Sequence, residues 1–451
     1  MAEKHYTPAA LDWLASLIAE RFGQAFSLHA QGKDVLLRCG DDERCIAIAT
    51  DAATFTLSNS TSPCTHWSAQ AEGWHSALGT DLPAPGVAHI PSPLIEASAH
   101  GYRIHYDILG LCYWMLTRQE EIGRTDLDEH GRFPATASHA FKLGYLERPI
   151  VDEWLHVLGQ VIQKTWPELK LKQHQFSMKV SHDVDAPSRY GFADPKRLVR
   201  AMAGDVLKRG DFKSALLAPW VRAQSKTALH PADPFNTFDW IMDVSERHGL
   251  KSAFYFICGR TDASKDADYE PEHPAIRALM RRMHARGHEI GLHPSYGSYQ
   301  TPLVIKQEAD RLRRIAREEC IAQTEWGGRM HYLRWEQPTT LQAWSDAGMN
   351  YDSTLSYADL PGFRCGTCFE YPAFNALRQQ ALPLRVRPLI AMECTVIAPR
   401  YMGLGTGKAA LNKFRDLKNA CKAVGGCFTL LWHNSQFGSL EGRALYEAVL
   451  E

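Results

Sequence analysis

The sequence predicts an α/β protein in which a smaller α+β region, residues 1–172, precedes a (β/α) barrel over residues 173–451. Three observations predict it. Three hydrophobic, strand-like runs end in carboxylates or imidazoles: Ser181-His182-Asp183-Val184-Asp185, Gly287-His288-Glu289-Ile290-Gly291-Leu292-His293-Pro294 and Leu430-Leu431-Trp432-His433-Asn434. A (β/α) barrel gathers the C-terminal ends of its strands at one mouth, where such groups converge. From Phe176 onward strand-like and helix-like patterns alternate, as a largely parallel sheet requires. Before Phe176 they do not.

In chain order, Thr7-Pro8 followed by Leu11, Leu14, Ala15, Ile18 and Phe22 reads as an N-capped amphipathic helix with proline in its first turn. Val35 to Arg38 and Cys45 to Thr50 are short β-like runs joined by the polar turn Gly40-Asp41-Asp42. Asn59 to Pro93, rich in Ser, Thr, Pro and Gly, is expected to be an irregular connection. Ile108, Leu111, Cys112, Met115 and Leu116 keep a helical period, as do Val151, Leu155, Leu158 and Ile162. In the second region Phe176, Met178 and Val180 lead into the first motif, and Ala253 to Ile257 is the apolar run of a strand covered on both faces. Ile276, Leu279, Met280 and Met283 mark a helix that hands over at Arg286-Gly287; Ile305, Ala309, Leu312 and Ala316 mark another. Met330 to Trp335, Ala391 to Ile397 and Cys427 to Trp432 are the later strand candidates. Tyr190 to Pro234 is long for a βα connection and is expected to hold helices beside the mouth.

Composition narrows the class. A chain of 451 residues, 45% hydrophobic and 22% charged, buries ample core, and 50 Lys+Arg against 51 Asp+Glu leave a charge of -1, so nothing global attracts nucleic acid or an anionic membrane. The local excess of Lys and Arg from Lys196 to Lys226 is read as a solvated helical surface. Met1 to Arg21 carries acidic residues and no uninterrupted apolar stretch, so no secretion signal or membrane insertion is expected and the location is read as cytoplasmic. Eleven scattered cysteines argue against a disulfide framework. Cys365-Gly366-Thr367-Cys368, the one CxxC, is read as buried thiols in a turn rather than half of a zinc ribbon.

Asp183 and Asp185 stand two apart at a strand end, so alternation points both to one side of the sheet. Alone, a DxD is equally a turn or cap, or the metal grip of a nucleotide-sugar transferase. No Gly-rich or cationic phosphate cradle accompanies this one. With Gly287 to His293 the chain resembles the polysaccharide deacetylase, or NodB-homology, group of carbohydrate esterase family 4. That group carries a TFDDG-like strand end, a GHEIGxH segment continuing to a second His, a third motif with Arg, and a late LxH. Here these resemble Ser181 to Asp185, Gly287 to His293, Gly328-Arg329-Met330-His331-Tyr332 and Leu431-Trp432-His433, in the same order, over roughly Phe176 to Phe437.

The resemblance implies an irregular barrel of that type and a hydrolase that removes an acetyl group, foremost N-acetyl, from a sugar or polysaccharide precursor. It further implies a divalent ion, zinc first, with cobalt, nickel or iron as alternatives. Asp183 becomes the base, Asp185 and His293 metal ligands, and His433 the acid. Arg329 or Arg334 would hold Asp183 ionised, since a nearby cation lowers a carboxylate pKa. The chain departs from the family at the second His of HxxxH, which falls on Gly297; His331 is the candidate replacement, an ordinary hydrogen-bonded histidine being the competing reading. Asp352, Arg364, Trp432 and Asn434 are candidate sugar contacts, with Trp335 and Trp344 as further aromatics that more commonly fill core. His182 and His288 are read as supporting residues. The expected partner is an acetylated sugar or glycan; the oligomeric state is left open. Two rivals stand: hydrolysis of a non-peptide C–N bond in a small metabolite, and a degenerate glycan-binding scaffold.

Overall fold

The computed structural model describes residues 6–451, apart from the side chains of Lys208 and Arg209. Its first helix, Pro8–Phe22, begins as its sequence dictates: the Thr7 hydroxyl accepts the Ala10 N–H at 3.2 Å and Leu14, Ile18 and Phe22 are buried. Strands β1 (Ser27–Gln31), β2 (Asp34–Arg38) and β3 (Cys45–Ala49) form an antiparallel meander. β4 (Cys64–Ser68) and β5 (Asp81–Pro85) pair apart from it, while β6 (Ile95–Ser98) and β7 (Gly101–Ile104) extend it in the order β1-β2-β3-β7-β6. The β4–β5 hairpin corrects the expectation of an irregular 59–93 connection. Pro83 and Pro85 are tolerated because each strand of a two-stranded ladder is an edge. Their outward carbonyls accept from Trp154 Nε1 and the Tyr106 hydroxyl, both at 2.8 Å.

The second region is a mixed α/β structure around a mainly parallel sheet. Its strands are β8 (Ser177–Val184), β9 (Ser252–Ile257), β10 (Glu289–His293), β11 (Gly327–Gly328), β12 (Tyr351–Asp352), β13 (Tyr371–Asn375), β14 (Gln380–Val386), β15 (Ala391–Met392) and β16 (Cys427–Leu431). They follow the order β13-β14-β12-β11-β10-β9-β8-β16-β15, and every pairing except β13 with β14 is parallel. β14 and β15 belong to one extended run. Arg385 pairs with Tyr351 of β12, Arg387 N–H reaches the Asp352 carbonyl at 2.8 Å, and six residues past Arg385 Ala391 pairs with Leu430 of β16. One stretch of chain, residues 385–392, therefore pairs with β12 at its start and with β16 at its end.

Two strand expectations are corrected. Met330 to Trp335 is a 3₁₀ turn, His331–Leu333, and the strand lies just before it at Gly327–Gly328. A Cβ on Gly328 would strike the Leu292 carbonyl, so only glycine permits that pairing, and a glycine pair shows no apolar alternation. Ala391 to Ile397 continues as strand only through Met392 before the helix Glu393–Ile397 begins. The change of grammar near Phe176 does not interrupt packing. One apolar core runs through both regions, Trp13 Nε1 donates to the Pro372 carbonyl at 3.0 Å, and the Tyr371 hydroxyl to that of Leu116 at 2.9 Å. Cys365 and Cys368 are buried thiols, and all eleven cysteines are free.

Candidate active site

Parallel strands deliver their C-terminal residues to one end. β8 ends beside β9 and β16, so Asp183 and Asp185 emerge near His433, while β10 brings His293 and the turn after β11 brings His331. Asp183 and Asp185 do lie on one side: His293 Nε2 is 3.7 Å from Asp183 Oδ2 and 3.2 Å from Asp185 Oδ1. His331 Nε2 is 3.6 Å from Asp185 Oδ1, and His433 Nε2 is 3.7 Å from Asp185 Oδ2. One carboxylate thus faces three imidazoles.

Each ring is held by its other nitrogen. His293 Nδ1–H donates to the Arg329 carbonyl at 2.6 Å, which leaves Nε2 facing Asp185. His331 Nδ1 lies 3.1 Å from Asp266 Oδ1, and His433 Nδ1 2.5 Å from Glu393 Oε1. A carbonyl or carboxylate behind an imidazole fixes its tautomer and makes the facing nitrogen a better ligand or proton carrier. Arg329, itself buried, donates to Asp183 Oδ1 at 2.7 Å and is locked by Ser181 Oγ at 2.9 Å and the Ser353 carbonyl at 3.0 Å. Asp183 Oδ2 is left facing the imidazole side.

Electrostatics follow the geometry. Burial raises the pKa of Asp185, but the facing His331 and His293 rings outweigh it and hold the carboxyl well below its usual range. Burial lowers His433, yet Glu393 behind the ring drives its pKa well above the ordinary imidazole value. His293 is likewise raised, against burial, by Asp183 and Asp185. Asp185 Oδ1 is buried without a hydrogen-bond partner, and with one nitrogen each from His293 and His331 it forms a group whose atoms all lie within 4.8 Å of one another. Carboxylate oxygen with imidazole nitrogen is a donor set that suits zinc and similar divalent ions. These residues fit a cation.

The remaining candidates lie elsewhere. Arg334 does not reach Asp183; it donates to the carbonyls of His130 and Tyr296, both at 2.7 Å. Arg364 is buried against Glu121 and the Ser356 carbonyl, and Asp352 is buried with Thr354 on its Oδ1, burial raising its pKa to about 6. Trp432 is fully buried, stacked on Phe437 at 5.7 Å, and Trp335 and Trp344 are also core. Asn434 donates to the Ala186 and Phe235 carbonyls at 3.0 and 2.8 Å, tying the loop after β8 in place. None of the four proposed sugar contacts lines the cleft. His182 and His288 are buried as well, His182 against the Trp432 carbonyl at 2.6 Å and His288 accepting the Ser252 N–H at 3.1 Å.

A cleft of about 270 Å³ opens over Asp183, Asp185, His293, His331 and His433, and its walls are Arg132, Lys265, Tyr332, Arg400 and Tyr401 among others. Of these wall residues the sequence marked only Tyr332, as the last residue of the third motif, and gave it no role. Arg132 comes from the first region and donates to the Tyr332 carbonyl at 2.9 Å, a contact across 200 positions that leaves no local signal. Glu393 did leave one, as the lone acid in the apolar run Ala391 to Ile397.

Comparison with known proteins adds three findings. Residues 17–167 match the model of a family of unknown function, DUF7033. No curated protein matches the chain. Among solved structures it is similar to two proteins assigned as polysaccharide deacetylases. One, from Mycobacterium smegmatis, has 16% identity, covers 62% of this chain and 83% of that one, and gives a TM-score of 0.39. The other, from Pseudomonas aeruginosa PAO1, has 16% identity, covers 61% and 84%, and gives 0.36. The PuuE allantoinase, at 11% identity, covers 61% and 82% with a TM-score of 0.35. Likeness at this level carries no assignment; the site geometry has to.

Proposed function

We propose that the chain is a metal-dependent hydrolase that removes an acyl group, foremost N-acetyl, from a sugar or glycan, and that its parallel sheet is an irregular (β/α) barrel with this cleft at the mouth. The single observation that carries the reading is the meeting, at one strand-end cleft, of an Arg-held carboxylate, a carboxylate with two imidazoles, and an imidazole backed by a buried glutamate. Asp185, His293 and His331 would hold the ion. A divalent ion in such a site acidifies water and polarises an acyl carbonyl.

The chain's own groups perform the proton work. Asp183, kept in place by Arg329, takes a proton at Oδ2 from the attacking water. His433 carries a proton on Nε2, stabilised through Nδ1 by Glu393, and delivers it to the departing nitrogen. General acid–base catalysis of this kind contributes about a hundred- to ten-thousandfold. An amine leaves poorly unless protonated, so an imidazole whose pKa is raised suits the acid role. The first region supplies one wall of the cleft through Arg132.

The test is acetate release from short N-acetylated oligosaccharides with zinc, cobalt or nickel added. Asp183→Asn and His433→Ala should keep the metal and lose turnover mainly in kcat, by about a hundredfold or more each. Unchanged kcat in Asp183→Asn overturns the mechanism. A metal-filled wild type inactive on every acetylated sugar overturns the substrate class.

A further inference from the structure

Between β8 and β9 the chain leaves the sheet as a helical hairpin, Pro195–Gly204 and Phe212–Gln224, joined through a wide helical turn, Asp205–Arg209. Its inner side is packed. Leu198, Ala218 and Val221 meet Tyr190 and Ala193 in a small core of their own, and the Tyr190 hydroxyl donates to Asp205 at 2.7 Å. Its outer side is exposed, with Trp220 resting on a neighbouring ring, His230, at 4.3 Å. Phe212, Leu216 and Trp220 stand four residues apart, hence on one helical face, and are 63%, 81% and 50% exposed. Val199 and Leu207 are 65% and 83% exposed, so five of the twelve large apolar side chains exposed among the described residues belong to this hairpin. Single exposed apolar residues are ordinary, but a cluster marks an interaction surface.

The charge of the same segment says what kind. Residues 195–226 hold eight Lys or Arg and two Asp, a net of +6, whereas the whole chain is -1, which leaves -7 for all other residues. Lys196, Arg200, Lys213, Arg222 and Lys226 are exposed. We propose that this hairpin docks the protein on an anionic lipid bilayer, with the Phe212–Leu216–Trp220 stripe in the headgroup region and the flanking cations on lipid phosphates. Amphipathic helices with aromatic and leucine side chains on one face and Lys or Arg on the other lie in membrane interfaces, and each cation near an anionic leaflet adds to the attraction. A second copy of the chain is a poorer occupant, because self-pairing would oppose two +6 surfaces. No helix among the described residues is long and apolar enough to cross a membrane, so the contact is with its surface. A groove of about 450 Å³, lined by Asp185, Arg189, Arg197, Arg200 and Lys265, joins the cleft to the hairpin base, so docking would bring the mouth to the bilayer. The basic run is then more than a solvated face, a distinction its charges alone do not make.

The experiment is flotation of the full chain with phosphatidylcholine vesicles, with and without phosphatidylglycerol, at low and high salt. Binding is expected only to the anionic vesicles and is expected to fall as salt rises. Leu216→Ser/Trp220→Ser, at exposed positions, should lower the bound-to-free ratio by about tenfold or more with an unchanged circular dichroism spectrum. Lys196→Glu/Lys213→Glu, which keeps the apolar stripe, should lower it as well. Absence of the wild type from anionic vesicles at low salt overturns the proposal. So does a dimer in sedimentation that the Leu216→Ser/Trp220→Ser variant dissolves, which would assign the stripe to self-association.

Discussion

Gly297 occupies the place where HxxxH spacing puts a histidine, and a side chain there would crowd Thr261. A Cβ on Gly297 would lie 3.0 Å from Thr261 Oγ1 and 3.1 Å from Thr261 Cβ. Thr261 Oγ1 is 3.2 Å from Asp266 Oδ2, and the other Asp266 oxygen holds His331, so a histidine at 297 would start behind the ring that faces Asp185. His331 reaches the position from a different backbone segment. Removing it, as His331→Ala, should cost at least as much metal affinity as loss of its support in Asp266→Asn, about ten- to a hundredfold for the latter. Chelator competition measures both. Gly297→His should not rescue His331→Ala; full rescue would show that a ligand at position 297 can reach the ion.

At the scale of elements, the loop after β10 is pinned to the helix Pro302–Glu318 by Glu308, whose carboxyl accepts the Ser295 N–H at 2.8 Å and hydroxyl at 2.5 Å. Burial pushes Glu308 up to about 7, above the 4.5 of an ordinary glutamate. A carboxyl whose folded pKa is raised binds its proton more tightly when folded, so its contribution is complete below the unfolded value and lost as pH rises through about 7. Stability should therefore decline from about pH 4.5 to pH 7 through this group, by on the order of 3 kcal/mol at most, of which about 1.4 kcal/mol falls above pH 6. Glu308→Gln should flatten that decline in urea unfolding midpoints. An unchanged slope would mean that Glu308 is ionised throughout.

At the scale of the whole molecule, the two regions are joined by buried polar ties as well as by apolar core. Arg364 donates to Glu121 Oε2 at 2.6 Å and to the Ser356 carbonyl at 2.7 Å, and Glu121 also meets Arg118 at 2.8 Å. Arg364 and Glu121 are both close to fully buried. Truncating one member of a buried pair strands the other, so Arg364→Ala should destabilise the protein by about 3–5 kcal/mol. Denaturant unfolding followed by probes in each region should show one shared transition moving to lower midpoint. A transition confined to one region would show that the halves unfold independently.

The sequence by itself determined the strand-and-helix grammar and the three strand-end motifs, and put Asp183, Asp185, His293 and His433 forward as candidates, because alternation, a leading Thr-Pro cap and Gly-terminated helices are local signals. It also put His331 and Arg329 close to the site through the third motif. Only the tertiary structure decided which side each remaining residue faces. Trp432 and Asn434 sit in the late motif, and Asp352 and Arg364 in segments well past the third, yet all four point into core or loop anchors, since a strand covered on both faces offers no periodic clue to inside and outside. Glu393, Asp266 and Arg132 support or wall the cleft from positions far along the chain. Their roles depend on where parallel strands and their connections bring distant segments together, and one local stretch of sequence carries no record of that distance.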